Sequence, residues 1–262
     1  MPSLIDIRRR IRSVKNTQQL TKALKMVSAA KLRRAQERVL AARPYARSLE
    51  EMLANVAGAA AGDERVQNNP LLARREEKTI QLVVLTSDRG QAGAFNANLL
   101  RMALGFTESH KGKTLQVEAV GRKGRDFFRR RNVALSGEHL GVSNKPDYSH
   151  AKAVADKLIE RYTSGEVDSV YLVVNEFKSV ITTNLKLRKV LPIELPEGGA
   201  GQTLDYIFEE PPEAILGKLL PKYVEVAIWQ AILESTAAEH AARMTAMDAA
   251  TTNAGQVIDK LE

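Results

Sequence analysis

Apolar and polar positions along the chain fall into three patterned regions. From residue 3 to about 57 the spacing is helical. Alternate steps of three and four reach Leu4, Ile7, Ile11, Val14, Gln18, Thr21, Lys25, Ser28, Leu32, Ala35, Val39 and Ala42. Both ends of that series read as a coiled-coil seam. In the middle the apolar residues move one position earlier, to Leu20, Leu24 and Val27, which predicts a second apolar contact midway. An ordinary amphipathic helix on a globular core would show the same periodicity. Ser3 suits the helix start, Pro44 predicts a kink or local fraying, and Gly58 and Gly62 mark the exit. Unbroken, such a helix measures about 80 Å, so much of it must project from any domain this size.

Residues 78 to 200 alternate strand-like and helix-like runs. Strands are expected at 79–86, 115–120, 133–135 and 170–174, and helices at 96–107, 123–131 and 148–162. That order predicts a doubly wound, mostly parallel α/β domain. A stretch at 182–192 suits an antiparallel edge, and the glycine-rich segment 194–202 a loop. Residues 211–262 then form a second long helix, opened by Pro211 and Pro212 and interrupted at most near Pro221. One of its stripes is small: Ala231, Ser235, Ala238, Ala242, Thr245, Ala249 and Thr252. Another is large: Val226, Trp229, Leu233, Met244, Met247, Ile258 and Leu261, with His240 among them. A helix seeking neighbours on two faces is buried or sits inside a collar. The expected architecture is a long antiparallel coiled coil of the terminal helices with the α/β domain between them.

Composition narrows the chemistry. The 262 residues carry 44% hydrophobic and only 5% aromatic side chains and no cysteine. Disulfides and thiolate metal sites are thereby excluded. No apolar run approaches the roughly 20 residues that span a bilayer. The N-terminus has no secretory pattern, so a protein kept in the cytoplasm is the default expectation. Net charge is +8 and is concentrated: between Arg8 and Arg47 basic residues recur against only Glu37. Such a helix should seek an acidic surface on nucleic acid, anionic lipid or protein. The four histidines have no metal-ligand spacing. Ser87-Asp88-Arg89-Gly90 with Gly93 follows a strand, but a G-x-G-x-x-G match and a P-loop lysine are both missing. No acid, base and nucleophile converge.

Three stretches carry a family resemblance. Ile7-Arg8-Arg9-Arg10-Ile11-Arg12-Ser13-Val14-Lys15-Asn16-Thr17-Gln18, continued through Lys22-Ala23-Leu24-Lys25-Met26-Val27 to Gln36, is the first. Thr86-Ser87-Asp88-Arg89-Gly90 with Gly93 and Asn96 is the second. Glu234-Ser235, Glu239-His240-Ala241-Ala242-Arg243-Met244-Thr245-Ala246-Met247 and Asn253-Ala254 form the third. Together they resemble the gamma subunit of F-type ATP synthases along essentially the whole chain. Gln91 and Ala92 depart from the leucine and cysteine frequent in that family. The family's closing segment has no counterpart after Glu262, so a shortened form is expected.

The resemblance implies a non-catalytic rotor shaft without a cofactor, on the cytoplasmic face of a bacterial inner membrane. Proton flow would turn a membrane ring of c subunits, and the shaft would drive ATP synthesis or hydrolysis in a hexamer of alpha and beta subunits. A small epsilon subunit would bind near its foot. On that basis Lys22, Leu24, Lys25 and Met26, with His240, Arg243, Met244 and Met247, would meet the beta subunits. Asp205, Tyr206, Ile207, Phe208 and Glu209, within a foot segment at 203–210, would meet the ring or epsilon. Asp88, Arg89 and Gly90 would close a sheet-top loop beside the shaft. Two other readings remain: a nucleotide-binding enzyme with helical arms, and a nucleic-acid binder using the basic first helix.

Overall fold

A computed structural model of the chain describes residues 3–59, 66, 68–180, 182–195 and 210–262. The foot residues Asp205, Tyr206, Ile207, Phe208 and Glu209 lie outside the described residues. In chain order the elements are α1 (Leu4–Ala59), β1 (Thr79–Leu85), α2 (Phe95–Ser109), β2 (Thr114–Val120), α3 (Arg122–Arg129) and β3 (Leu135–His139). They continue with α4 (Tyr148–Thr163), β4 (Ser169–Phe177), β5 (Thr183–Leu191) and α5 (Pro212–Leu261). Ser3 caps α1: its Oγ accepts from the Asp6 amide at 3.2 Å while the Asp6 carboxylate accepts from the Ser3 amide at 3.3 Å.

The strands form one sheet in the order β3-β2-β1-β4-β5. All pairings are parallel except β4–β5, so the last strand closes the sheet as an antiparallel edge. One apolar cluster joins Ile80, Leu82 and Val84 to α2 and to Leu233, Ala237 and Ala241 of α5. The other joins Val83 and Leu85 to α4 and to Leu216, Leu220 and Val224 of α5. Through residues 231–240, α5 is buried on every side.

The α1 seam is longer and more regular than its apolar residues suggested. Burial continues in the same register through Ala46, Leu49, Leu53 and Val56, straight past Pro44. The helix is continuous there because Pro44 lies on the exposed face, and the carbonyl its ring leaves without a donor belongs to exposed Leu40. Pro221 is likewise inside unbroken α5. In the middle of α1 the seam keeps to its polar positions: Thr21 and Ser28 are buried, whereas Leu20 and Val27 are 59% and 53% exposed. The adjacent apolar face is thus left uncovered by this chain.

The distal part of α5 also differs from expectation. Its small stripe permits close approach of a partner helix, yet Thr245, Ala249 and Thr252 face solvent. The seam uses Met247, Ala254 and Ile258 instead, closing on Thr21 and its neighbours. Residues 15–30 of α1 meet α5 along this single seam, from the Lys15–Glu262 pair inward, a two-helix rod of about 25 Å. Strand β3 begins where a strand was expected to end. Polar contacts hold it: Ser136 accepts from Gln81 Nε2 at 2.9 Å and donates to the Val117 carbonyl at 3.0 Å, and His139 Nε2 sits 2.5 Å from Glu118 Oε1. A partly buried hydrogen-bond network holds this edge, so hydrophobicity does not mark it.

Candidate functional site

In an open α/β sheet, ligands bind beyond the carboxyl ends of the strands where the strand order reverses. Here that position, after β1, holds Asp88. Its Oδ1 accepts from the amides of Arg122 and Gly141, both at 3.1 Å, and its Oδ2 from the Ser143 hydroxyl at 3.1 Å. The Arg122 amide opens α3, so an internal carboxylate fills the place where a helix N-terminus would hold a bound anion. Asn96 secures the turn from the other side, accepting from the Ser87 amide at 2.9 Å.

The same turn is fastened to the shaft. Arg243 of α5 donates from Nη2 to the Gly90 carbonyl at 3.2 Å and to Glu239 Oε1 at 2.6 Å. Its Nη1 donates to His240 Nδ1 at 3.3 Å. Burial pushes the Glu239 carboxyl above the ordinary range, against the pull of Arg243 and of a hydrogen bond from Ser143. His240 is only 7% exposed. Burial first, then the charges of Arg243 and Lys31, push its imidazole down to about 4. Asp88, Gly90, Glu239, His240 and Arg243 therefore form one junction between sheet and shaft, while the Arg89 side chain stays outside it.

Along the free rod the basic residues divide into two kinds. Lys25 bonds Asp248 across the seam at 2.6 Å, and Lys15 bonds Glu262 at 2.9 Å. Such exposed pairs contribute about 0–1 kcal/mol each. Thr251 donates to Thr21 Oγ1 at 2.8 Å, a polar rung within the seam. Lys22 and Met26 point outward, Met26 being 60% exposed, and Leu24 is half-buried. Met247 is buried and Met244 half-buried. Of the eight midshaft residues singled out from sequence, Lys22 and Met26 thus present the most surface, and His240, Arg243 and Met247 turn toward their own chain.

Comparison with known proteins fixes the family. The sequence profile of the ATP synthase family matches residues 3–262. The chain is 60% identical over 261 residues to the ATP synthase gamma chain of Solibacter usitatus, covering 100% of this chain and 91% of that one. The chain belongs to the ATP synthase gamma-chain family. It is also 50% identical to the gamma chain of an Anaeromyxobacter species, with 100% and 91% coverage. Among solved structures, the central stalk and c-ring of Tetrahymena thermophila mitochondrial ATP synthase matches with a TM-score of 0.67 at 25% identity, over 88% of this chain and 99% of that one. The Euglena gracilis mitochondrial rotor shares the fold, with a TM-score of 0.63, 19% identity, and 97% and 93% coverage.

Within this gamma-family framework, the departures at Gln91 and Ala92 are accommodated. Ala92 is buried in the cluster that holds α2, and Gln91 takes a left-handed backbone with φ 63°. Sequence reading missed Glu239 and Ser143, which complete the junction. The signal was present in Glu239 and Arg243, an (i, i+4) ion pair inside an otherwise apolar stretch of helix. Among the described residues, no helix is long and apolar enough to cross a membrane. Nor do any His, Asp or Glu there form a cluster able to hold a metal ion.

The histidine gives this gamma-family junction a testable pH response. As pH falls below the ordinary value of 6.5, the unfolded chain takes the proton while folded His240 does not. Stability contributed by neutral His240 is complete above about pH 6.5 and is lost down to about 4, on the order of 3 kcal/mol in all. Glu239 and Glu234, both raised by burial, act with the opposite sign. The test is therefore a difference: denaturant midpoints of His240→Gln should fall less steeply between pH 6.5 and 4 than those of the parent chain. Parallel curves would assign the acid response elsewhere.

Proposed function

We propose that this chain is the central rotor shaft of an F-type ATP synthase, coupling proton-driven rotation of a membrane ring to the catalytic sites of an alpha/beta hexamer. The observation that carries this reading is mechanical. A two-helix rod projects about 25 Å from a domain into which one of its helices is buried on every side. Torque applied to the domain passes into α5 through packed side chains and the Arg243–Gly90 fastening, and from α5 to α1 along the seam. The names of the relatives and of the solved stalks support the same assignment.

The chain itself is read as non-catalytic. An internal carboxylate, Asp88, occupies the anion position at the end of the sheet, and the bacterial relatives support a peripheral place on the cytoplasmic face of the inner membrane. The purified chain, free of beta subunits, is expected to release no phosphate from ATP. Turnover that survives removal of beta subunits and tracks this chain through purification would overturn the reading. The segment around Asp205, Tyr206, Ile207, Phe208 and Glu209 is proposed as the foot that meets the ring or epsilon.

Midway along the rod, Leu20, Leu24 and Val27 form an apolar stripe flanked by Lys22, Lys25 and Met26. We assign this face to acidic beta-subunit surface, with Met247 packed behind it in the seam from α5. In a reconstituted complex, Lys22→Glu with Lys25→Glu should leave assembly intact and reduce ATP-driven proton pumping severalfold, because exposed pairs of about 0–1 kcal/mol steer more than they hold. Lys22→Glu alone keeps the Lys25–Asp248 bond and isolates the outward charge. Pumping at the parent level in the double variant would mean that this face is merely solvated.

A further inference from the structure

The loop after β3 leans against the shaft and closes a cavity of about 180 Å3 with α1 and α5. Its polar wall is cationic. Lys31, Arg34 and Arg38 lie one helical turn apart on α1, and Lys145 reaches in from the loop. None of these four is ion-paired with a described residue, and no carboxylate among the described residues lines the cavity. Four like charges around so small a space repel one another, and a compact polyanion would relieve them. Arginines in (i, i+4) register suit phosphate in particular, since each guanidinium can donate two parallel bonds to one phosphoryl group.

Arg38, Pro146 and Leu233 are shared with an adjoining groove of about 460 Å3. That groove is apolar and aromatic. Trp229 and Tyr148 meet there edge to face, with ring centroids 5.9 Å apart, beside Ala41 and Ala42. Its one carboxylate, Asp147, is engaged by the Ser149 amide and hydroxyl at the start of α4. We propose that the two adjoining clefts bind a nucleoside di- or triphosphate, with its phosphates among Lys31, Arg34, Arg38 and Lys145 and its base against Trp229 and Tyr148. A sequence-tolerant aromatic platform beside a cationic groove is how bases and phosphates are held together elsewhere. The site is separate from the strand-end turn filled by Asp88, and it binds without hydrolysing, so it stands whether or not the rotor assignment does.

Trp229 is the chain's single tryptophan and so reports on this groove. Titrating the full chain with ADP and ATP at constant ionic strength should change Trp229 fluorescence saturably, with pyrophosphate competing but leaving the signal unmoved. Arg34→Gln combined with Lys145→Gln alters two exposed side chains, so the fold is retained, and nucleotide affinity should drop about tenfold or more through loss of charge-assisted bonds. Three results would each overturn the proposal: no saturable change up to millimolar nucleotide, pyrophosphate binding as tightly as ATP, or parent-level affinity in the double variant.

Discussion

Gly121→Ala should destabilise the sheet by about 3 kcal/mol or more, seen as a lower denaturant midpoint of the isolated chain. Gly121 holds φ 97°, and a Cβ placed on it would lie 2.1 Å from the Thr86 carbonyl oxygen. The obstruction is backbone, so no rotamer change relieves it. The same crossing is tied by the Thr86 amide to the Val120 carbonyl at 2.7 Å and by the Gly121 amide to the His139 carbonyl at 2.8 Å. Moving it would also shift the Arg122 amide off Asp88. Gly141→Ala provides the control: φ is 80° but the space is open, leaving only backbone strain of about 1–2 kcal/mol. Equal losses in the two variants would show that the approach at Thr86 is not tight.

Arg243→Ala is the second large effect. It removes the counter-charge of buried Glu239 and the donor to the Gly90 carbonyl together. Breaking one side of a buried pair costs about 3–5 kcal/mol; Glu239 can take up a proton, which places the expected loss near the lower figure. The variant should also free the turn at 88–93 from the shaft, so its amides exchange faster while those of β1 stay protected. Arg243→Lys keeps the charge but loses the planar fork, and should fall between the two. Unchanged exchange at Gly90 in the alanine variant would mean the turn is held by Asp88 alone.

The fold was legible where apolar spacing carried it. Strand β1, helices α2 and α4, the antiparallel edge and the pairing of the terminal helices all follow from periodicities of 2 and 3.6. Polar contacts do the holding at the places that were not legible. Strand β3 is held by Ser136 and His139, and the midshaft seam runs through Thr21 and Ser28 while Leu20 and Val27 face outward. An apolar-pattern rule reads both backwards. Pro44 was misjudged because its cost depends on which face of the helix it occupies, and sequence alone does not rotate the helix. At the junction, Asp88 and Gly90 were marked by turn chemistry. Their partners Ser143, Glu239 and Arg243 come from two remote segments, and only the fold brings them together.

The full enclosure of α5 over residues 231–240, followed at once by a rod with a single seam, makes the shaft mechanically uneven. The enclosed length is a rigid grip, because bending it would require displacing sheet and α1 together. Beyond Met247 the two helices are joined by a narrow line of side chains and a few exposed ion pairs, which yield to twist at small energetic cost. Elastic compliance is therefore concentrated between the grip and the tip. A steadily turning base can wind this length, hold the strain while the far end pauses, and return it as the far end steps.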